Sequence, residues 1–369
     1  MNRNLQKLPE NELRLLLGLN QIESCKSTKC LNIFQEHRSL LPLFERNGFY
    51  QEKIKKIDWN QTDRELLWQE EANHEIFTIF DEDFPELLRQ IPNPPKLLFC
   101  QGQKNLFNRP TIAIVGSRNP SQSGLDIAYQ VGKELSEIGF GIISGLAVGI
   151  DSSAHRGALE GGSTSAVFGS GLEIIYPSCN RALAREIETR GTLLSEFPVS
   201  RSPTKRSFIQ RNRIISGLAL GTIIVEASLK SGSLSTARFA LEQGRELFAV
   251  PGAIKNPLAR GCHLLLKEGA HLFEESYDIV RVLESQLSNF KDFFSPSKRQ
   301  EISKSADNHL KLTQKEKMIL DLIGFEAVSL DFISQRSSIP FSEIAIILAE
   351  LKKYSLISER AGQYERICK

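Results

Sequence analysis

Between residues 110 and 280 short apolar runs alternate with longer amphipathic stretches, a rhythm that predicts a parallel sheet covered by helices on both faces. The apolar runs place strands at 111–115, 141–144, 165–168, 192–195, 222–225 and 247–250. Helical spacing places helices between them, at 123–138, 151–160, 181–190, 208–218, 233–243 and 262–267. Upstream, Leu13, Leu16, Leu17, Ile33, Phe34, Leu40, Leu41, Leu43 and Phe44 recur at helical intervals broken by Gly18 and Gly48, which predicts a small helical domain. Pro85, Pro92, Pro94 and Pro95 forbid a long helix over 76–102 and make it an extended lead-in to the sheet. A polar stretch rich in Ser, Lys, Asn and Asp then reads as a linker. Beyond it, amphipathic helices at 314–323, 329–336 and 341–354 precede strands at 356–360 and 363–367 around the turn residues Ala361-Gly362, the pattern of a winged helix. The expected fold is α/β: a helical N-terminal domain over 1–75, an extended Rossmann-type, mostly parallel sheet over 76–285, a linker over 286–310 and a C-terminal winged-helix domain over 311–369.

A chain of 369 residues exceeds the roughly 250 at which single cores stop growing, so several domains are expected. With 41% hydrophobic and 24% charged residues it falls outside the disordered and membrane classes. Lys and Arg (46) nearly cancel Asp and Glu (44), so a polyanion partner requires a local basic site rather than the field of the whole protein. The cysteines Cys25, Cys30, Cys100, Cys179, Cys262 and Cys368 form no CxxC pair and no cluster with His, which argues against a metal or a disulfide framework. The Leu15-Leu16-Leu17 run lacks the features of a signal peptide, and no uncharged stretch reaches the ~18 residues of a membrane span. A cytoplasmic protein without a membrane span is expected.

Local chemistry gathers at the strand ends. Gly116-Ser117-Arg118 follows the first parallel strand and precedes a helix, where backbone N–H groups and the helix dipole favour anions. The next residues, Asn119-Pro120, break the GxGxxG pattern, which disfavours a nicotinamide or flavin cofactor; none is expected. The alternative for Arg118 is a surface ion pair. In the second loop, Ser144 to Asp151, Asp151 is placed to cap the following helix, and His155 one turn later suits a structural role better than acid–base chemistry. Phe168-Gly169-Ser170-Gly171 leaves room for close backbone approach to a ligand. The run from Arg201 to Arg213 holds Arg201, Lys205, Arg206, Arg211 and Arg213 with Phe208, and no acid occurs between Phe197 and Glu226. Several cations with one aromatic suit a groove that tracks a phosphate backbone and stacks a base; a solvated basic face with Phe208 in the core is the alternative. Lys230, Ser231 and Gly232 follow another strand and extend the same crevice, while Glu226, repelled by phosphates, fits a helix cap or an arginine-orienting role.

The motifs Ala113-Ile114-Val115-Gly116-Ser117-Arg118, Ser144-Gly145-Leu146-Ala147, Gly149-Ile150-Asp151, Tyr176-Pro177, Arg211-Asn212-Arg213, Val225-Glu226-Ala227, Ser231-Gly232-Ser233 and Val250-Pro251-Gly252, with Phe208, together resemble the DprA/Smf family of DNA-processing proteins of natural transformation. The resemblance covers residues 76 to about 280 and implies a homodimer that binds single-stranded DNA, protects it and loads the recombinase RecA onto it, without catalysis. By position it implies Arg118 and Lys205 as phosphate contacts, Phe208 as the stacking aromatic, and Arg211 and Arg213 as supports or backbone contacts. Ser117, Gly145, Gly169, Ser170, Asn212, Lys230, Ser231 and Gly232 complete the expected DNA site. The dimer and RecA surfaces are expected near Leu264, Leu265, Leu266 and Leu272. The competing reading is a nucleotide-binding or nucleotide-hydrolysing enzyme of a related Rossmann-type family, using Glu226, Asp151 and His155. Against it, Ser231-Gly232-Ser233-Leu234-Ser235-Thr236 departs from the PGGxGT run of such hydrolases. A transcription regulator led by the winged helix is disfavoured because its third helix opens Phe341-Ser342-Glu343 and keeps Lys352 and Lys353 for its far end.

Overall fold

Strands that are apolar along their whole length must be covered on both faces. In the computed structural model β3 (Thr111–Val115), β4 (Gly141–Ser144), β5 (Thr164–Val167), β6 (Thr192–Ser195) and β7 (Gly221–Ile224) are buried at every position. The structure describes residues 7–45, 51–103, 109–288, 290, 313–324, 327–337, 339–353, 356–360 and 362–366. The chain divides into two compact units, 1–299 and 300–369. Most of the linker expected over 286–310, together with Tyr354 of the expected third helix and Ala361 and Ile367 of the expected wing, lies outside the described residues.

The first unit holds a nine-stranded sheet in the order β1-β2-β6-β5-β4-β3-β7-β8-β9, with β8 at Glu246–Ala249 and β9 at His271–Leu272. From β6 to β9 all neighbours are parallel, whereas β1 (His74–Thr78) and β2 (Leu97–Gly102) add an antiparallel edge. The prolines that suggested a lead-in sit between these two strands, so the expected extended segment is itself part of the sheet.

The N-terminal helices α1 (Glu10–Asn20), α2 (Ser27–His37), α3 (Pro42–Glu45), α4 (Gln51–Ile54) and α5 (Trp59–Gln69) share one apolar core with this edge. Phe34 packs tilted against Phe80 with ring centres 4.7 Å apart, and Trp68 meets Phe99 edge-on at 5.6 Å. After the short α6 (Glu86–Arg89), the covering helices are α7 (Gln122–Ile138), α8 (Ile150–Gly161), α9 (Arg181–Arg190), α10 (Lys205–Gly217), α11 (Ser233–Glu242) and α12 (Arg260–Lys267). Most bounds fall within two residues of the periodicity. The exception is α10, which begins at Lys205 because Thr204 and Ser207 exchange side-chain and backbone hydrogen bonds in a capping box. Helices α7 and α8 touch through their backbones: a Cβ on Gly157 would lie 1.9 Å from the Tyr129 carbonyl oxygen.

The second unit has the winged-helix architecture. Helices Gln314–Ile323, Leu330–Arg336 and Phe341–Lys353 bury Ile319, Ile323, Ile333, Ile344 and Leu351 together. Strands Val328–Ser329, Ile357–Arg360 and Gln363–Arg366 form a three-stranded sheet with the last in the middle. Among the described residues, no helix is long and apolar enough to cross a membrane.

Glu65 of α5 is buried where the helical layer meets the loop through Val199, and burial pushes its carboxyl up to about 7 despite hydrogen bonds from Gln61 and the Val199 backbone. The folded protein therefore keeps this proton to higher pH than the unfolded chain, which releases it near the ordinary 4.5. This group lowers stability as pH rises from the ordinary value through about 7. Glu65→Gln should therefore raise stability at pH ~8 by up to about 3 kcal/mol and leave it nearly unchanged at pH ~4, as read from urea unfolding at both values.

Candidate nucleic-acid interface

The order of the sheet sets where a ligand can enter. From β3 the chain winds through β4, β5 and β6 on one side, then returns to place β7 and β8 on the other. Loops leaving β3 and β7 therefore diverge and open a crevice at the carboxyl edge of the sheet. A cavity of about 370 Å³ lies there, and Arg118, Lys205, Phe208, Arg211, Asn212, Ser231 and Gly232 line it. Those seven sequence-predicted residues are brought together by the loop after β3, the first half of α10 and the loop after β7, around one aromatic ring.

Phe208 is half-buried in the first turns of α10. The guanidinium carbons of Arg118 and Arg211 lie 5.5 and 5.8 Å from its ring centre, and the Tyr176 ring lies 5.4 Å away. A Cβ on Gly169 would come within 2.5 Å of the Phe208 ring, so this glycine seats the aromatic rather than touching a ligand. The Ser207 hydroxyl donates to the Gly169 carbonyl at 2.5 Å and fixes α10 against the loop after β5. Arg118 and Lys205 extend into solvent from the β3 loop and the start of α10. Lys230 is exposed on the β7 loop outside the cavity lining.

The other predicted residues build the walls. Ser117 is buried and its hydroxyl accepts from the Asn119 N–H, while Ser170 is buried and donates to the Ile174 carbonyl. Arg211 and Arg213, expected as supports or backbone contacts, are both engaged within the protein. Arg213 pairs with Glu196, an acid lying just before the acid-free stretch. Arg211 is 3% exposed and donates to the carbonyls of Gly145, at 2.7 Å, and Val167. Burial pulls its pKa down to about 10 against the favourable field of Asp151. Asn212 accepts from Arg211 and donates to Ser235 on α11 at 2.9 Å.

Asp151 does not cap its helix. It lies inside α8, whose N-cap is Gly149, and its carboxylate accepts from the Gly145 and Ala147 N–H groups at 3.1 and 3.4 Å. Between them Leu146 adopts φ 57°, a left-handed conformation held by the bond from Asn180 to its carbonyl. Desolvation raises the Asp151 pKa, and Arg211 opposes the rise.

Glu226 accepts from both the N–H and the hydroxyl of Ser121, the N-cap of α7, in keeping with its expected capping role. His155 is fully buried and hydrogen-bonded to Thr164, and desolvation lowers its pKa to about 3. Because the Thr164 hydroxyl donates to the Ile142 carbonyl, His155 Nδ1 is the donor in that pair.

Two contacts escaped the sequence reading. Tyr176 was visible only as part of a motif, and nothing local gave it a place beside Phe208. Glu23 of the helical layer pairs with Arg201 at 2.9 Å and Arg206 at 3.4 Å, across a sequence separation that no pattern rule spans. At the proposed partner surface, Leu264 and Leu272 are exposed and Leu266 is half-buried, but Leu265 belongs to the core and is unavailable to a partner.

The family model of DNA recombination-mediator protein A matches residues 75–284, and that of the DprA winged helix domain matches residues 303–352. The chain is 38% identical over 309 residues to Protein Smf of Escherichia coli (strain K12), which covers 82% of this chain and 80% of the relative. It is 42% identical over 225 residues to DNA processing protein DprA of Streptococcus pneumoniae, 61% of this chain and 79% of the relative. The X-ray structure of the S. pneumoniae DNA processing protein A superposes with a TM-score of 0.66 at 35% identity over 75% of this chain and 98% of that one. The Helicobacter pylori DNA processing protein A, solved for its unique single-stranded DNA binding mode, superposes with a TM-score of 0.53 at 32% identity, covering 58% of this chain and 96% of its own.

Removing one member of a buried charged pair leaves the other uncompensated. Arg211→Met should therefore cost about 3 to 5 kcal/mol in urea unfolding. A loss below about 1 kcal/mol would mean that Arg211 belongs to the ligand rather than to the scaffold.

Proposed function

The chain belongs to the DNA recombination-mediator protein A family, also named DprA or Smf, and from that membership we propose that it is a non-catalytic mediator that grips single-stranded DNA in the Phe208 crevice. The observation that carries the reading is a half-buried aromatic ring flanked by two guanidinium groups and a second aromatic at the carboxyl edge of the sheet. A base stacks on such a ring, while Arg118 and Lys205 meet the phosphates on either side of it. Ser231, Gly232 and Ser233 line the same cavity as a small, neutral wall. Single-strand binding by the H. pylori relative points the same way.

The further steps belong to the same proposal. The protein protects incoming single strands in the cytoplasm during natural transformation and hands them to RecA. A second copy of the chain and RecA use the apolar surface around Leu264, Leu266 and Leu272. The hydrogen bonds that hold Glu226 at Ser121 and Asp151 at the β4 loop, and the full burial of His155, support this reading over nucleotide hydrolysis. The winged helix serves as an accessory module.

The experiment is a salt titration of single-strand binding. Arg118→Ala should reduce the slope of log K against log salt by roughly 0.7, the loss of one phosphate contact. Phe208→Ala should weaken binding by about 1 to 3 kcal/mol with little change of slope. Wild-type behaviour of both variants would refute the crevice as the binding site.

A further inference from the structure

We propose that the cavity between the helical N-terminal layer and the basic loop is a second phosphate-binding site, taking the backbone of the same single strand beyond the Phe208 crevice. The inference rests on the reading of that crevice as the strand's primary site. This second cavity has a volume of about 450 Å³, and among the described residues Lys53, Lys56 and Arg206 line it with the carboxylate of Glu23.

The two sites meet at the start of α10. Lys205 and Arg206 are successive residues in its first turn, about 100° apart around the helix axis. Lys205 lines the crevice and Arg206 the second cavity. A strand stacked on Phe208 and paired with Lys205 therefore has only to pass about 100° around the start of α10 to reach Arg206, with Lys53 and Lys56 beyond.

Glu23 does not spoil the site for an anion. Its carboxylate is held by Arg201 at 2.9 Å and Arg206 at 3.4 Å, and these guanidinium groups hold its pKa below the usual carboxylate range. Pairing with Glu23 fixes the basic loop to the helical layer while Lys53 and Lys56 keep the cavity's net charge positive. Lys53 also donates to the Ser24 hydroxyl at 2.8 Å, which orients its ammonium group at the cavity wall.

The ligand chemistry follows from what lines the wall. Among the described residues no aromatic side chain lines this cavity, whereas ammonium and guanidinium groups do. Such a surface binds phosphates by charge and does not stack bases. Its contribution is length-dependent: it acts only on strands long enough to leave the crevice.

The test compares the full-length protein with Lys53→Gln/Lys56→Gln, Lys53→Arg/Lys56→Arg and Phe208→Ala variants, using fluorescently labelled oligothymidylates of roughly 6 and roughly 25 nucleotides. For the longer strand the Gln pair should lower affinity several-fold at low salt and reduce the salt slope by roughly 1.4, two single-strand phosphate contacts. The short strand should bind it like wild type, and the Arg pair should keep wild-type affinity for both. Phe208→Ala should weaken both lengths. Unchanged binding of the long strand by the Gln pair, or an equal loss on both lengths, would overturn the second site while leaving the crevice intact. Unchanged binding of both lengths by Phe208→Ala would instead remove the crevice, and with it the continuity on which the second site depends.

Discussion

The buried guanidinium of Arg211 ties α10 to the loops that follow β4 and β5, through the carbonyls of Gly145 and Val167. Burying that charge costs several kcal/mol unless its donors are satisfied and a counter-charge is near. Two carbonyls, the Asn212 side chain and the field of Asp151 supply those conditions. Asp151 in turn gathers the Gly145 and Ala147 N–H groups, so one polar network shapes the β4 loop and fixes the pitch of α10. Phe208 lies one turn earlier on that helix. Its ring is placed by the same network, with Gly169 behind it and Tyr176 at its side. The crevice is thus rigid where a base would stack and open where Arg118 and Lys205 reach into solvent, a division that suits a binding protein with preorganised stacking and adaptable charge.

Much of this was legible along the chain, for physical reasons. Strands buried on both faces are mainly apolar, so β3 to β8 stand out as short hydrophobic runs despite buried hydroxyls such as Ser144 and Thr164. Loops at the carboxyl ends of parallel strands are the expected anion sites, and Gly116, Arg118, Ser231 and Gly232 converge there. The edge strands β1 and β2 were hidden by the prolines between them, and the start of α10 by a capping box that only the three-dimensional structure displays.

The site's finer division was illegible because burial is a tertiary property. Arg118, Arg211 and Arg213 look alike in sequence, yet Arg118 is solvent-facing, Arg211 lies under the loops and Arg213 pairs with Glu196. Likewise Ser117 and Ser170, expected at the ligand, spend their hydroxyls on the backbone. Asp151 illustrates the same limit: its position before a helix suggested a cap, but the left-handed turn at Leu146 brings other N–H groups to it first. A net charge of +2 conceals the local positive surface because the balancing acids lie elsewhere or are already paired, as Glu23 and Glu196 are.

Whether a base stacks on Phe208 can be observed directly by ultraviolet crosslinking of a single strand carrying halogenated uracil, followed by tryptic mass spectrometry. Cleavage after Arg206 and Arg211 isolates residues 207–211, the short peptide that contains Phe208. An aromatic in stacking contact should dominate the adducts, so crosslinks on this peptide, and secondarily on the one containing Tyr176, are expected. Adducts confined to the winged-helix residues 313–366, with none at 207–211, would contradict the stacking crevice.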